Sequence, residues 1–126
     1  MLTARDLSAE ALSHFRVAAR ARQQREAEAL ARREGHAWEL AQQAARLLYA
    51  QFGADRVVTF SSLTRPGCFN EWSDLDLAAW GLHPSQSLRA MTTVADLDAH
   101  IAINLVDVAT CSEDLLCAIE REGRPL

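Results

Sequence analysis

The segment SSLTRPGCFNEWSDLDLAAW (residues 61–80) places Asp74 and Asp76 one residue apart in a run that is otherwise typical of a buried strand. Side chains alternate across a strand, so these two aspartates, the aspartate pair, share one face while Leu75 and Leu77 share the other. Two carboxylates about 6–7 Å apart repel by roughly 2–3 kcal/mol at an effective dielectric near 20. A cation, a raised pKa or open water can offset that repulsion, and a divalent ion is the simplest compensation.

Asp107 strengthens the metal interpretation, because a D-x-D pair alone is more often a chance match or a turn cap at a strand end. It interrupts the apolar run IAINLVDVA (101–109), and a lone acid in an apolar strand is costly unless it is bonded or coordinated. It shares a face with Ile103 and Leu105. If this strand lies beside the strand of the aspartate pair, three carboxylates converge. We therefore expect a metal site made by all three.

The composition is that of an ordinary globular protein. The chain has 126 residues, of which 49% are hydrophobic and 24% charged, which predicts one compact domain. No stretch approaches the roughly 20 apolar residues of a membrane span, and the opening MLTARDLSAE lacks the basic start and apolar run of a secretory signal. Three cysteines cannot all pair internally, so we expect a reducing cytoplasm and, without C-x-x-C spacing, no structural zinc.

Charge is distributed unevenly along the chain. Residues 1–46 hold eight arginines and six acidic residues, whereas residues 47–126 hold five arginines and eleven acidic residues. The acidic second part argues against a broad nucleic-acid surface, which would be strongly basic. All thirteen basic residues are arginine, which excludes lysine chemistry such as Schiff bases. A concentration of carboxylates instead points to bound cations.

The N-terminal part is predicted to be helical. Residues 4–51 are rich in helix formers and free of proline, and Thr3 and Asp6 have the spacing of a capping pair. Gly35 is the one plausible break in this stretch. Beyond that glycine, apolar residues follow a dense helical rhythm, which predicts a helix packed on the core: Trp38, Ala41, Ala45, Leu48 and Phe52.

Before Gly35 the apolar stripe is thin. Leu12, Phe15 and Ala19 are its main members, so this segment is either a solvated arm or an oligomer contact. Its RARQQREAEALARRE (20–34) could suggest RNA binding. The interleaved glutamates favour a solvated, ion-paired helix face instead.

After Gly53 the pattern changes to short strands separated by turns. The predicted elements are strands at 56–62, 74–80 and 101–109, a helix within 85–98, and a last helix that is capped by Thr110 with Glu113 as its box partner and ends at Gly123. The order α-α-β-β-α-β-α predicts an α/β domain with a three- or four-stranded mixed sheet. We assign residues 1–35 to an N-terminal helical arm and residues 36–126 to this domain.

These features together resemble the minimal nucleotidyltransferases of the DNA polymerase β-like superfamily. The resemblance rests on a strand that ends in two small residues, a basic loop, S-D-x-D-L on the next strand, and an apolar strand with a third aspartate. It covers residues 36–126, including the closing IEREGRPL, and is far more specific than D-x-D alone. The fold that it implies is a small mixed sheet flanked by helices.

The resemblance also implies an activity and assigns residues to it. The family transfers a nucleoside monophosphate from ATP or another nucleoside triphosphate and uses two Mg²⁺ ions. Its phosphate-binding Gly-Ser turn falls on Ser61 and Ser62, and Arg65 and Ser73 fall on the phosphate loop and the S-D-x-D-L motif. The aspartate pair would bind the metals, and Asp107 would be the third carboxylate that helps to activate the attacking hydroxyl.

The chemistry of nucleotidyl transfer agrees with this assignment. Such transfer needs charge neutralisation and in-line positioning more than covalent catalysis, and two metals about 3.5–4 Å apart can hold the entering and leaving oxygens. Mg²⁺ prefers hard oxygen ligands, usually one or two carboxylates plus substrate phosphates. A rigid strand would aim both aspartates at one point beside the phosphate loop.

Two hypotheses about function follow. In the first, the chain is a nucleotidyltransferase whose acceptor hydroxyl belongs to a partner protein, an RNA end or a small molecule. Many members of the resembled family are antitoxins that adenylylate a HEPN (higher eukaryotes and prokaryotes nucleotide-binding) RNase toxin. In the second, the chain is a catalytically weakened binding module that neutralises or scaffolds a partner. Ser61 in place of glycine favours the second, because its Cβ restricts the approach of backbone amides to phosphate.

Overall fold

The computed structural model describes the backbone of residues 4–126 and the side chains of residues 8–126. Its elements are α1 (Ala4–Phe52), β1 (Arg56–Phe60), β2 (Leu75–Trp80), α2 (Ser87–Ala95), β3 (Ile103–Asp107), α3 (Glu113–Glu122) and β4 (Arg124–Pro125). Short 3-10 helices follow β1 at Ser61–Thr64 and β3 at Val108–Thr110. The predicted capping pair of Thr3 and Asp6 lies outside the described residues.

The four strands form one mixed sheet in the order β3-β2-β1-β4. β1 pairs antiparallel with β2 and with β4, whereas β2 pairs parallel with β3. The predicted α/β class with a mixed sheet flanked by helices is therefore confirmed. The fourth strand is the two-residue β4, which the sequence pattern did not identify.

Helix α1 continues through Gly35 to Phe52, so the plausible break at that glycine does not occur. A glycine within a helix costs only about 1 kcal/mol relative to alanine. The helix recovers more than that by packing residues on the core, since a buried leucine alone contributes about 1.5–3 kcal/mol. The buried residues after Gly35 are Ala37, Leu40, Ala41, Ala44, Ala45 and Leu48. Gly53, at φ +66°, ends the helix in the left-handed region.

Backbone contacts divide the chain after Arg32. The described residues of the N-terminal unit belong to α1, and none of the side chains between residues 8 and 32 is fully buried. Leu12, Phe15 and Val17 are 52%, 66% and 65% exposed. The second unit, residues 33–126, holds the sheet and the other helices. No helix among the described residues is long and apolar enough to cross a membrane.

Both faces of the sheet are partly covered by helices. On one face, α3 packs Ile119 against Val58, Phe60 and Ala78. On the other face, the Ser87 hydroxyl of α2 bonds to a carboxylate at the end of β3. The end of the sheet at which β1 stops and β2 and β3 begin is where the aspartate pair lies.

The start of α3 differs from the prediction. Its N-cap is Ser112, whose Oγ accepts a hydrogen bond of 3.2 Å from the Leu115 N–H. Thr110 instead ends the preceding 3-10 helix, and its hydroxyl donates to the Asp107 carbonyl at 3.3 Å. Glu113 is therefore the first helical residue and not a box partner. The extra turn after β3 shifts the helix start by two residues, which the capping pattern alone does not reveal.

We predict that Gly35→Ala raises the free energy of unfolding by about 0.5–1 kcal/mol, because the glycine is exposed within a continuous helix. An added Cβ would meet no atom within 4 Å. Urea unfolding followed by circular dichroism measures the change. Gly53→Ala is the matched control and should destabilise, because its φ of +66° disfavours a side chain. A loss of stability in Gly35→Ala would show that the helix breaks there.

Candidate functional site

The aspartate pair lies at the start of β2. Asp74 immediately precedes the strand and is exposed, whereas Asp76 is its second residue and is half-buried. In the sheet register, Asp76 lies opposite Phe60 of β1 and opposite Asn104 of β3. The pair therefore faces the region between the end of one strand and the beginnings of two others.

Asn104 connects the two carboxylates. Its Nδ2 donates to Asp74 Oδ2 at 3.3 Å and to Asp76 Oδ1 at 3.2 Å. The amide group thus offsets part of the repulsion between the two negative charges. Asn104 was not identified from the sequence. Asn104 lies in β3, three residues before Asp107, and only the register between β2 and β3 shows that it lies beside Asp76.

The pKa of Asp76 is raised above its ordinary value. Burial is the largest cause, and the nearby charge of Asp74 adds to it. Hydrogen bonds from the side chains of Asn104 and Ser61 act in the opposite direction but do not cancel the effect of burial. The charged form of Asp76 is therefore only partly compensated, and a cation would relieve the remaining cost.

Ser61 follows β1 directly and has a φ of +68°. This is the left-handed region, which costs an L-residue roughly 1–2 kcal/mol and favours glycine. Position 61 thus has a backbone conformation that suits glycine, although the residue there is serine. Its carbonyl accepts a hydrogen bond from the Thr64 hydroxyl at 3.0 Å, and the Ser62 carbonyl accepts one from the Arg65 N–H at 3.3 Å. These bonds hold the turn beside Asp76.

Two other residues that the sequence assigned to nucleotide binding have structural partners. Arg65 Nη2 lies 2.9 Å from each carboxylate oxygen of Glu122 on α3. The Ser73 Oγ accepts a hydrogen bond of 2.9 Å from the Asn70 N–H and so closes the turn before Asp74. Their contacts with a nucleotide, like those of Ser61 and Ser62, stay predictions.

Asp107 does not join the aspartate pair, so the expected convergence of three carboxylates is wrong. It lies opposite Ala79 in the parallel register, and hence on the other face of the sheet from Asp76. It is only 4% exposed, accepts a hydrogen bond from the Ala109 N–H at 3.1 Å, and accepts another from the Ser87 hydroxyl. Asp107 therefore caps the 3-10 helix after β3. These bonds satisfy the buried acid without a metal.

Arg33 of α1 holds together the loops that carry the site. It was not identified from the sequence. Its guanidinium donates to the carbonyls of Asn70 at 3.4 Å, Ser73 at 3.0 Å and His100 at 3.4 Å. These acceptors belong to the loops that precede β2 and β3. One side chain thus connects the two segments that carry Asp74 and Asn104. In the sequence it is one of many arginines of a charged helix, so nothing distinguished it.

Asp98 orders the same loop before β3. It accepts hydrogen bonds from the N–H groups of His100 at 2.9 Å and Ile101 at 2.8 Å, and its Oδ1 lies 2.9 Å from His36 Nε2. The bond with His36 is the largest cause that lowers the pKa of Asp98 to about 2. Because the pKa of Asp98 is lower in the folded chain than in the unfolded chain, ionised Asp98 stabilises the fold at pH values above its unfolded-state pKa. That stabilisation is lost as the pH falls towards 2.

The residues present fit a divalent metal. Asp74 and Asp76 offer hard carboxylate oxygens from neighbouring positions, and Mg²⁺ is commonly held by one or two carboxylates together with substrate phosphates. Within the described part of the chain, no group of three or more His, Cys, Asp or Glu side chains could hold a metal. The pair therefore suits an ion that arrives with a phosphate-bearing ligand better than a fully protein-bound ion.

Comparison with known proteins identifies the fold. No protein-family model matches the sequence, and no curated protein matches it. The structure is similar to a chain in the crystal structure of a mutant of the toxin-antitoxin MntA-HpeT. The TM-score is 0.55 at 19% sequence identity, over 68% of this chain and 69% of that chain. The likeness shows that the two chains share an α/β fold.

We predict that Asp76→Asn stabilises the metal-free protein at pH 7, because the raised pKa of Asp76 means that its charged form is disfavoured in the fold. The unfolded chain binds fewer protons than the folded chain just above pH 3.8, so the wild type loses stability as the pH rises through that region. The advantage of the variant should therefore shrink as the pH is lowered to about 4. Thermal unfolding from pH 4 to 8 measures it.

The control for this experiment is Asp74→Asn, because it removes the same charge from an exposed position. It should change the melting temperature less than Asp76→Asn does. A destabilised Asp76→Asn variant across the whole pH range would contradict the electrostatic account of the site.

Proposed function

We propose that this chain binds a divalent-metal nucleoside triphosphate at Asp74 and Asp76 and transfers the nucleoside monophosphate, AMP from ATP, to a hydroxyl of a partner protein. The observation that carries the proposal is the half-buried Asp76, with its raised pKa, beside Asp74 and the left-handed turn at Ser61. A half-buried carboxylate that is only partly compensated, at the start of a rigid strand, is costly to the fold. Such a cost is common at functional sites, where a ligand relieves it.

Each residue of the site has a role in this proposal. Asp74 and Asp76 would hold the metal, which when bound neutralises phosphate charge and polarises the transferred phosphoryl group. The turn at Ser61 and Ser62 would contact the β- and γ-phosphates, and Arg65 would exchange its pairing with Glu122 for a phosphate. Ser73 would keep Asp74 in place through the turn that it closes.

The reaction balances as a displacement at phosphorus. The acceptor hydroxyl oxygen forms a bond to the α-phosphorus, the bond from that phosphorus to the α,β-bridging oxygen breaks, and pyrophosphate leaves. The hydroxyl proton is released to solvent or to a group on the acceptor. The expected role of Asp107 in activating the attacking hydroxyl is not part of this proposal, because its carboxylate faces the other side of the sheet.

A protein partner is supported by two observations. The neighbour in structure is part of a toxin-antitoxin complex. In addition, the N-terminal unit exposes Leu12, Phe15 and Val17, whose apolar side chains offer contact surface to a partner. We propose an antitoxin role in the cytoplasm, with a HEPN-type toxin as the partner and acceptor.

A binding module without transfer is the second candidate, and two observations favour it. Ser61 carries a side chain where the phosphate turn has a glycine-like backbone. The strand position that faces the aspartate pair also carries the amide of Asn104 instead of a carboxylate. Such a protein would still bind the nucleotide and the partner.

We predict that Mg²⁺ and ATP together raise the free energy of unfolding by about 2.7 kcal/mol at a hundredfold excess over Kd. Mg²⁺ alone or ATP alone should have little effect. Thermal unfolding measures the shift, and Asp76→Asn is the control that should lose it. Absence of any combined effect in the wild type would overturn nucleotide binding at this site.

The transfer itself is tested by intact mass spectrometry. The protein is incubated with Mg²⁺, ATP and the protein that is encoded beside it, and the partner is examined for the mass of an added AMP. Added AMP that disappears with Asp76→Asn supports the transferase. Thermal stabilisation without any added mass supports the binding module.

A further inference from the structure

We infer that Asn104 limits the aspartate pair to one divalent ion per bound nucleotide, so that this chain departs from the two-ion arrangement of the family it resembles. The inference rests on the proposed function, because it concerns the same site. The number of divalent ions that the site holds would then depend on one amide side chain.

The sheet leaves only one strand position that can add a ligand beside Asp76. β2 has two neighbours, β1 and β3. The residue opposite Asp76 on β1 is Phe60, a buried aromatic side chain without a ligand atom. The residue opposite it on β3 is Asn104. Position 104 therefore decides whether a third carboxylate faces the pair.

The amide at this position acts as a donor. Asn104 Nδ2 donates to one oxygen of Asp74 and to one oxygen of Asp76. These two oxygens lie on the side of the pair that faces β3. A second ion on that side would need these oxygens and a further ligand from β3. An amide nitrogen carries hydrogens and cannot coordinate a cation. The carbonyl oxygen of the same amide is neutral, so it adds no charge to hold a second ion.

The number of carboxylates at the site leads to the same count. Asp74 and Asp76 supply two carboxylates, which is the number that proteins commonly give to one Mg²⁺ ion held together with substrate phosphates. The next carboxylate on β3, Asp107, is buried on the opposite face and bonded to Ser87 and to the Ala109 N–H. It cannot turn towards the pair without breaking these bonds and the β3 pairing. A second ion would therefore depend on phosphate oxygens and water alone.

The test counts Mn²⁺ ions by electron paramagnetic resonance in the presence of α,β-methylene-ATP, which is not cleaved at the α-phosphorus. The wild type should bind one Mn²⁺ per bound nucleotide, and Asn104→Asp should bind two. The matched control is Gln43→Glu, an amide-to-acid change at an exposed position of α1, which should stay at one ion. Asn104→Ala removes the donor without adding a ligand and should also stay at one.

A second measurement does not depend on activity or on counting. Asn104→Asp places a third acid beside the pair, so the metal-free variant should melt below the wild type, and Mn²⁺ with the nucleotide analogue should raise its melting temperature more than that of the wild type. Gln43→Glu should show neither change.

Each outcome has a distinct meaning. Two ions in the wild type, or one ion in folded Asn104→Asp, would overturn the inference while leaving nucleotide binding intact. Nucleotide-dependent Mn²⁺ binding in neither protein would overturn the proposed function and the inference with it. One ion in the wild type and two in Asn104→Asp supports both.

Discussion

The parallel register between β2 and β3 is the constraint on which the candidate site depends. It places Asp76 opposite Asn104 and Ala79 opposite Asp107. The first pairing brings an amide to the aspartate pair, and the second sends the remaining carboxylate of that strand to the other face. A shift of the register by one residue would exchange the faces of all side chains on β3. The apolar residues of the strand prevent it, because Ile103 and Leu105 are buried only in the observed register.

The sequence predicted the parts of this site that depend on local geometry. Strand alternation placed Asp74 and Asp76 on one face, and the change of pattern after Gly53 indicated an α/β fold. It did not predict which residue of β3 faces the pair, because that depends on pairing between segments that are separated along the chain. Alternation alone already put Asp107 on the face of its apolar neighbours. The wrong expectation came from choosing the residue by its charge and not by its face.

Other differences between prediction and structure have similar causes. Propensity made Gly35 a plausible break in the helix, but tertiary packing of the following residues outweighs a cost of about 1 kcal/mol. The role of Arg33 could not be predicted, because its acceptors are backbone carbonyls of loops that are distant in sequence. Every residue type has a backbone carbonyl, so no sequence pattern shows which carbonyls will accept a hydrogen bond from Arg33. Residues that hold a site in place are for this reason harder to find than residues that form it.

The energetic costs of the fold are concentrated where β1 ends and β2 and β3 begin. Ser61 has a left-handed backbone, and Asp76 is half-buried with a raised pKa. Asn104 reduces the second cost by donating to both carboxylates, but it does so with an uncharged group. A third carboxylate would have increased the repulsion in the metal-free protein and demanded more bound cation. The metal-free site therefore presents two carboxylates that one neutral amide holds together, and this arrangement limits their repulsion without adding a third negative charge.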